Sequence, residues 1–475
     1  MDTRGESHYM KGHKSLGIVI KLGTSSIVDE KTHQPLLSNL SLIVETAHKL
    51  REDGHRVVIV SSGAIGVGLR RMDKEKRPKH LAQLQALAAI GQCRLMNIWD
   101  SLFNHLKQPV AQILLTRNDI ADRSRYLNAQ RTFNELLDMG VIPIVNENDT
   151  LAVSEIKFGD NDTLSAITAA MVHADLLFLM TDVDCLYDKN PRSNPDAQPI
   201  EVVEDIGALQ ADVSSAGSSL GTGGMSTKIV AARLATSAGV TTVITRASSP
   251  GNITKIAHHI QASRSPDHHN ASGPDDSLAN STASLDLNTR EQQQQQQQQH
   301  SVPLHTRFLP SPAPIGDRSF WILHGLKPHG AIYIDAGCYK ALLNKAGLLP
   351  AGVVDVDGGF SGHECVRLLV VDRETRGTDA VEGGDGGTKR LWHGEPQDVG
   401  RAIVNYSSTE ISRIKGHQSK EIEGLLGYAD SGYVAEREHV TFFRRESRPQ
   451  TPTLPVALGA GTPVRDGVAE YESKA

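Results

Sequence analysis

Leu16-Gly17-Ile18-Val19-Ile20-Lys21-Leu22-Gly23-Thr24-Ser25 opens with five apolar residues, three of them β-branched, that lead to a lysine. They lack the polar alternation of a strand with one wet face, so the run suits a strand buried on both sides. Similar runs recur at 57–61, 110–115, 141–146, 176–180 and 242–245. Between several of them apolar residues return at helical spacing, over 40–50, 81–106, 123–139, 163–172 and 225–237. Strands alternating with helices predict a three-layer α/β/α fold around a mainly parallel sheet. Ligands of such folds sit beyond the carboxyl ends of the strands, so the segments that follow each run are where chemistry is expected.

Five segments answer that description. Lys21 ends the first run and a Gly-Thr-Ser turn follows, which offers backbone N–H groups and a compact positive charge to a phosphate. Ser61-Ser62-Gly63-Ala64-Ile65-Gly66 opens a helix after the second run and presents free N–H groups to a carboxylate or phosphate; a plain serine cap reads the same way. Asn146-Glu147-Asn148-Asp149 and Gly159-Asp160-Asn161-Asp162 gather amides and carboxylates at one sheet edge. Such a cluster suits an amino-acid ammonium, a lysine, or Mg²⁺ on a nucleotide. Thr181-Asp182 follows the fifth run and suits a base or ribose, or a simple turn. Gly221-Thr222-Gly223-Gly224-Met225-Ser226-Thr227-Lys228 combines a phosphate cradle with a lysine in the first turn of a helix, without the Gly-Lys-Ser/Thr order of a P-loop.

The 475 residues predict two or three domains at roughly 150 residues each. Aromatics are only 4%, so aliphatic side chains must dominate the cores. A net charge of −6 gives no bulk case for nucleic-acid binding. Cys93, Cys185, Cys338 and Cys365 are too widely spaced for a zinc site or a disulfide framework and read as free thiols. Residues 1–15 resemble neither a signal peptide nor an Arg-rich transit peptide, and no apolar run approaches a membrane span. A cytoplasmic location is expected.

Residues 261–305 lack aromatics and contain eight consecutive glutamines, 292–299, so this stretch is expected to be a disordered insertion. Order is expected to resume at 320–323. Short Gly-rich strands at 330–335, 352–356, 365–371 and 401–405 predict a small β-barrel, interrupted by a loop insertion at 374–389. The tail after 446 is expected to be disordered. The resulting division is 15–260, 261–305, 306–327, 328–445 and 446–475.

In order and spacing, the segments Lys21–Ser25, Ser62–Ala64, Asn146–Asp149, Gly159–Asp162 and Gly221–Lys228 resemble the glutamate 5-kinases of the amino acid kinase superfamily. The resemblance covers about 15–255 and resumes over about 307–428, where longer members carry a PUA domain. The two insertions and the tail depart from the bacterial pattern and point to a fungal or other eukaryotic version.

The resemblance implies the amino acid kinase fold with a PUA-like domain. It also implies transfer of the γ-phosphoryl of ATP, with Mg²⁺ on its phosphates, to the γ-carboxylate of glutamate, the first step toward proline. Carried over by position, Lys21 and Lys228 would stabilise the phosphoryl and Asp162 would orient them. Ser62, Gly63, Asp149 and Asn161 would bind glutamate. Lys21, Gly23, Thr181, Asp182, Thr222, Gly223, Gly224, Met225, Ser226, Thr227 and Lys228 would bind ATP, and no residue is assigned to a metal. The resemblance further implies a homo-oligomer and feedback by proline; association with a γ-glutamyl phosphate reductase is a separate expectation, drawn from the lability of the product. The alternatives are sister kinases acting on aspartate, N-acetylglutamate, carbamate or UMP, and RNA binding through the PUA-like part. Between 328 and 430 there are 11 Lys and Arg against 15 Asp and Glu, a poor balance for RNA. The local cluster Arg413, Lys415, His417 and Lys420 keeps that alternative open.

Overall fold

β1 (Gly17–Leu22) lies within an eight-stranded sheet because each residue from Ile18 to Leu22 finds cover on one face or the other. The computed structural model describes residues 15–151, 161–209, 224–263, 302–373 and 392–443. The glutamine run and the tail, both expected to be disordered, and the 374–389 loop insertion lie outside the described residues.

The sheet is completed by β2 (Arg56–Ser61), β3 (Val110–Leu115), β4 (Ile142–Glu147) and β5 (Leu176–Thr181). A small hairpin of β6 (Leu186–Tyr187) and β7 (Pro199–Ile200) follows, then β8 (Val202–Val203), β9 (Thr241–Arg246) and β10 (Thr306–Phe308). The order is β3-β4-β2-β1-β5-β9-β10-β8, and only the β9–β10 pair is antiparallel.

Strand alternation sorts the core into two layers. Ile18, Ile20 and Leu22 face one layer, with Leu40, Ile43 and Leu50 of the Leu37–Glu52 helix, Trp99 and Phe103 of Leu81–Asn104, and Ile256 and Ile260 of Asn252–Ser263. Val19 faces the other, with Phe133 of Arg123–Asp138, Leu164 and Ile167 of Asn161–Met171, and Ala231 and Ala235 of Met225–Ser237. Lys21 shares the parity of Val19, so its side chain belongs to this second layer.

Order resumes before the expected 320–323. β10 returns the chain to the main sheet and pairs with β9 and β8. Three residues are too few to display a period, which is why this strand carries no sequence signal.

A second sheet contains β11 (Gly330–Ile334), β12 (Val353–Asp357), β13 (Cys365–Arg373), β14 (Trp392–Ile403) and β15 (Val440–Phe442), in the order β12-β11-β13-β14-β15. Its core of Ile332, Ile334, Val366, Leu368 and Tyr406 is closed by Leu342 and Ile411, from the short helices Ala336–Leu343 and Ser408–Ile414. The two sheets meet near Trp321, whose indole N–H donates to Ile120 O at 3.0 Å, and Ile403 of β14 joins the first sheet's core.

Candidate active site

The chain passes from β1 to β2 on one side and later enters β5 on the other. Parallel neighbours put Leu22, Ser61, Glu147, Thr181 and Arg246 at one edge of the sheet, and β1 is where the strand order reverses. Crevices at such switch points hold ligands.

Lys21, one residue from the end of β1, is 4% exposed. The Asn161–Met171 helix begins directly above it and supplies Asp162, which is fully buried. Lys21 Nζ pairs with Asp162 Oδ1, and Lys228 Nζ lies 3.4 Å from Asp162 Oδ2. Lys228 comes from the first turn of the Met225–Ser237 helix and is 7% exposed. Thr227 completes the cluster: its hydroxyl donates to Asp162 Oδ2 at 2.7 Å and accepts from the Gly224 N–H at 3.0 Å. Burial alone would raise the Asp162 pKa. The Lys21 and Lys228 ammoniums, with hydrogen bonds from Lys21 and Thr227, outweigh it and bring the value down to about 2. A single carboxylate thus aims two ammoniums from opposite ends of the domain.

Beside this cluster runs a chain of amides. Asn161 Nδ2 donates to Ser62 Oγ at 2.9 Å and to Asn146 Oδ1 at 3.0 Å. Asn146 in turn donates to Gln92 Oε1 at 2.8 Å. Gly63 caps the Ala64–Arg71 helix at φ +98°, and a Cβ there would lie 3.1 Å from Ile27 Cγ2, so only glycine fits this turn comfortably. The free N–H groups of that first turn, with the dipole's positive end, point to the same edge and suit an anionic group. Asn148, whose N–H donates to Leu115 O, and half-buried Asp149 lie in the turn after β4.

On the far side of β1, Thr181 ends β5 and its hydroxyl donates to the exposed Asp182, which pairs with Arg192. Two residues on, Asp184 receives one edge of the Arg246 guanidinium, Nε to Oδ1 and Nη2 to Oδ2, each at 2.6 Å. This fork ties the turn after β5 to the end of β9.

The structure therefore brings Lys21, Asp162, Lys228, Thr227 and Gly224 into one cluster, with Ser62 and Asn161 bonded alongside. Gly23 follows Lys21 at the turn, Met225 and Ser226 open the helix that carries Lys228, and Gly63, Asp149, Thr181 and Asp182 lie at the same sheet edge. Thr222 and Gly223, with Gly159 and Asp160, lie outside the described residues.

Three features escape sequence reasoning. The bond from Thr227 to Asp162 depends on which distant residues meet. Arg246, like Lys21, is a charge at the end of a buried strand, but no glycine-rich turn follows it to mark it as functional. Gln92 looks like any polar residue in an amphipathic helix.

Among the described residues no group of three or more His, Cys, Asp or Glu is placed to hold a metal. The Asp162 oxygens are committed to lysines and a hydroxyl, so this donor set does not form a cage for Mg²⁺.

The basic cluster of the second sheet is largely engaged internally. Lys415 pairs with Asp355 at 2.7 Å, His417 with Glu421 at 3.2 Å, and Arg413 donates to Leu425 O at 2.6 Å.

Residues 17–246 match the amino acid kinase family and residues 330–426 match the PUA domain. A Schizosaccharomyces pombe protein carrying the name probable glutamate 5-kinase is 51% identical over 431 residues, 90% of this chain and 94% of that one. An uncharacterized protein of Saccharomyces cerevisiae is 47% identical over 90% of this chain and 99% of its own. The glutamate 5-kinase of a Cyanothece species is 45% identical over 89% of this chain and 98% of its own. Such identity runs through both sheets and along almost the whole length of these relatives, so the chain belongs to the glutamate 5-kinase family of amino acid kinases.

Proposed function

We propose that this chain transfers the γ-phosphoryl group of ATP to the γ-carboxylate of L-glutamate, giving L-glutamyl 5-phosphate, the first step of proline biosynthesis. The observation that carries this reading is the pairing of buried Lys21 and Lys228 on Asp162 at the switch point of the sheet.

A carboxylate oxygen is already ionised, so its attack on the γ-phosphorus requires no general base. The new O–P bond forms as the bond to the β–γ bridging oxygen breaks, and ADP leaves with that electron pair. Positioning and charge neutralisation are what remain for the protein to supply. Two ammoniums held by one carboxylate meet that requirement. Lys21 reaches the site from the sheet and Lys228 from the phosphate-facing helix, so they bracket the moving group. Because Asp162 pre-orients both, little reorganisation accompanies the transfer.

Ser62, Gly63, Asp149 and Asn161 form the proposed glutamate side, at the β2 and β4 ends. Gly23, Thr181, Asp182 and 222–228 form the proposed nucleotide side. Mg²⁺ when bound would neutralise phosphate charge from the nucleotide. The two sheets support a division into a kinase domain over 15–260 with 306–327, and a PUA-like domain over 328–445. A homo-oligomer and association with a γ-glutamyl phosphate reductase, to shield a labile acyl phosphate, extend the same reading. A cytoplasmic location does too; no helix of the described residues is long and apolar enough to cross a membrane.

ADP release by the purified chain with MgATP tests the proposal. Release is expected with glutamate and not with aspartate, N-acetylglutamate, carbamate or UMP. Preference for an acceptor without a free α-amino group would replace it by a sister activity. Assays with and without proline examine feedback.

A further inference from the structure

The amide chain beside Asp162 has its orientation set by one backbone donor. The N–H of Glu147 can only donate, and it meets Asn146 Oδ1 at 2.9 Å. The nitrogen of that carboxamide is therefore at its other end, where it donates to Gln92 Oε1 at 2.8 Å. The group facing Asn146 Oδ1 must likewise be a donor, so Asn161 presents Nδ2 there at 3.0 Å, and the same nitrogen donates to Ser62 Oγ at 2.9 Å. Both hydrogens of the Asn161 amide are committed. Its carbonyl Oδ1 is buried, with no hydrogen-bond partner among the described residues. A buried acceptor in that state calls for a donor from a ligand. Ser62 Oγ accepts from Asn161 and keeps its own proton for donation.

Gln92 ends this chain. It sits next to Gly91, where the Leu81–Asn104 and Ala64–Arg71 helices touch backbone to backbone: a Cβ on Gly91 would lie 1.7 Å from Ala64 O. That close approach places the Gln92 oxygen against Asn146. If Asn146 turned over, its nitrogen would confront the Glu147 N–H and Asn161 Nδ2, donor against donor.

We infer that Gln92 is a positioning residue for the acceptor substrate. Together with the Glu147 N–H, it holds Asn146 in one flip state, and Asn146 in turn aims Asn161 Oδ1 at the ammonium of an α-amino acid. The inference rests on the kinase reading above and names the group that would meet the open acceptor. Gln92 acts through Asn146.

Steady-state kinetics of the full chain with Gln92→Leu and Gln92→Glu test it. Leucine removes the acceptor, and the KM for glutamate is expected to rise about tenfold, the equivalent of one oriented hydrogen bond to a charged group. The KM for ATP should stay within about twofold. The glutamate variant still accepts from Asn146 and should remain near wild type. Glutarate, which lacks the amino group, should compete with glutamate with the same Ki against wild type and Gln92→Leu. An unchanged KM for glutamate in Gln92→Leu overturns the inference, as does an equal rise in both KM values or a weakened glutarate Ki. Absence of glutamate-dependent ADP release from the wild-type chain would overturn the kinase reading itself.

Discussion

Asp162 Oδ2 lies 3.4 Å from the Nζ of Lys228, 66 residues further along the chain, while the other carboxylate oxygen holds Lys21. Three segments with no local relationship converge on one buried carboxylate. The consequences for turnover and for stability are separable.

Lys228→Ala leaves Asp162 paired with Lys21 and should fold. Removing one of two charges on the moving phosphoryl is expected to lower kcat about 10³-fold, in the range seen for loss of a single transition-state donor. Single-turnover rates, with circular dichroism as the folding control, check this. Turnover within tenfold of wild type would place Lys228 outside the mechanism.

The folded-state pKa of Asp162, about 2, lies below its ordinary value of 3.8. Its stabilising effect is therefore present above about pH 4 and lost as the pH falls toward 2, on the order of 2 kcal/mol in all. Asp162→Asn should abolish this part of the pH slope. It should also destabilise at neutral pH by about 3–5 kcal/mol, because two buried ammoniums lose their counter-charge. Urea midpoints measured from pH 5 to pH 2 decide it; parallel slopes for the two proteins would refute the assignment.

Asp149→Asn is expected to raise the KM for glutamate at least about tenfold, the cost of losing a charge-assisted contact to an ammonium. The KM for ATP should stay within about twofold. Equal effects on the two substrates would move Asp149 away from the amino group.

The fork from Arg246 to Asp184 fixes the turn that follows Thr181 and Asp182. Hydrogen bonds from Arg246 hold the Asp184 carboxyl below its usual range, against a smaller opposing effect of burial. Both side chains are more than a third exposed, so Arg246→Leu should change thermal stability little. Loosening the turn is expected to raise the KM for ATP about threefold to tenfold without moving that for glutamate. Titrations of each substrate at saturating levels of the other read this out.

Gly91→Ala tests the helix contact that carries Gln92. Its Cβ would fall 1.7 Å from Ala64 O and 2.6 Å from the Gly68 N–H nitrogen, so the two helices must part. Overpacking of this kind costs about 3 kcal/mol or more, and the melting temperature should fall by several degrees. An unshifted melting curve would mean that the helices separate freely.

Strands of the main sheet were readable because burial on both faces turns each into a contiguous apolar run. The run at 141–146 appears as Ile142–Glu147, and that at 176–180 as Leu176–Thr181. The helix predicted over 225–237 has those same bounds, since its apolar spacing and its Gly-rich approach agree. β10, at three residues, and the Ser408–Ile414 helix, at seven, are too short to show a period. Within the site, Lys21, Asp162 and Lys228 stood out as charged residues at strand ends or helix starts. Gln92 and Asp184 did not, because their interest lies in partners that no local pattern names.

A contiguous apolar run is a property of neighbouring residues, so the chain alone settled the longer strands of the main sheet, though not β10. The order β4-β2-β1-β5-β9 is different in kind. It depends on which side of β1 each crossover packs, a choice made by the fit of whole helices against the sheet. Only that packing puts Lys21, Asp162 and Lys228 within reach of one another, and only it sets Gln92 against Asn146.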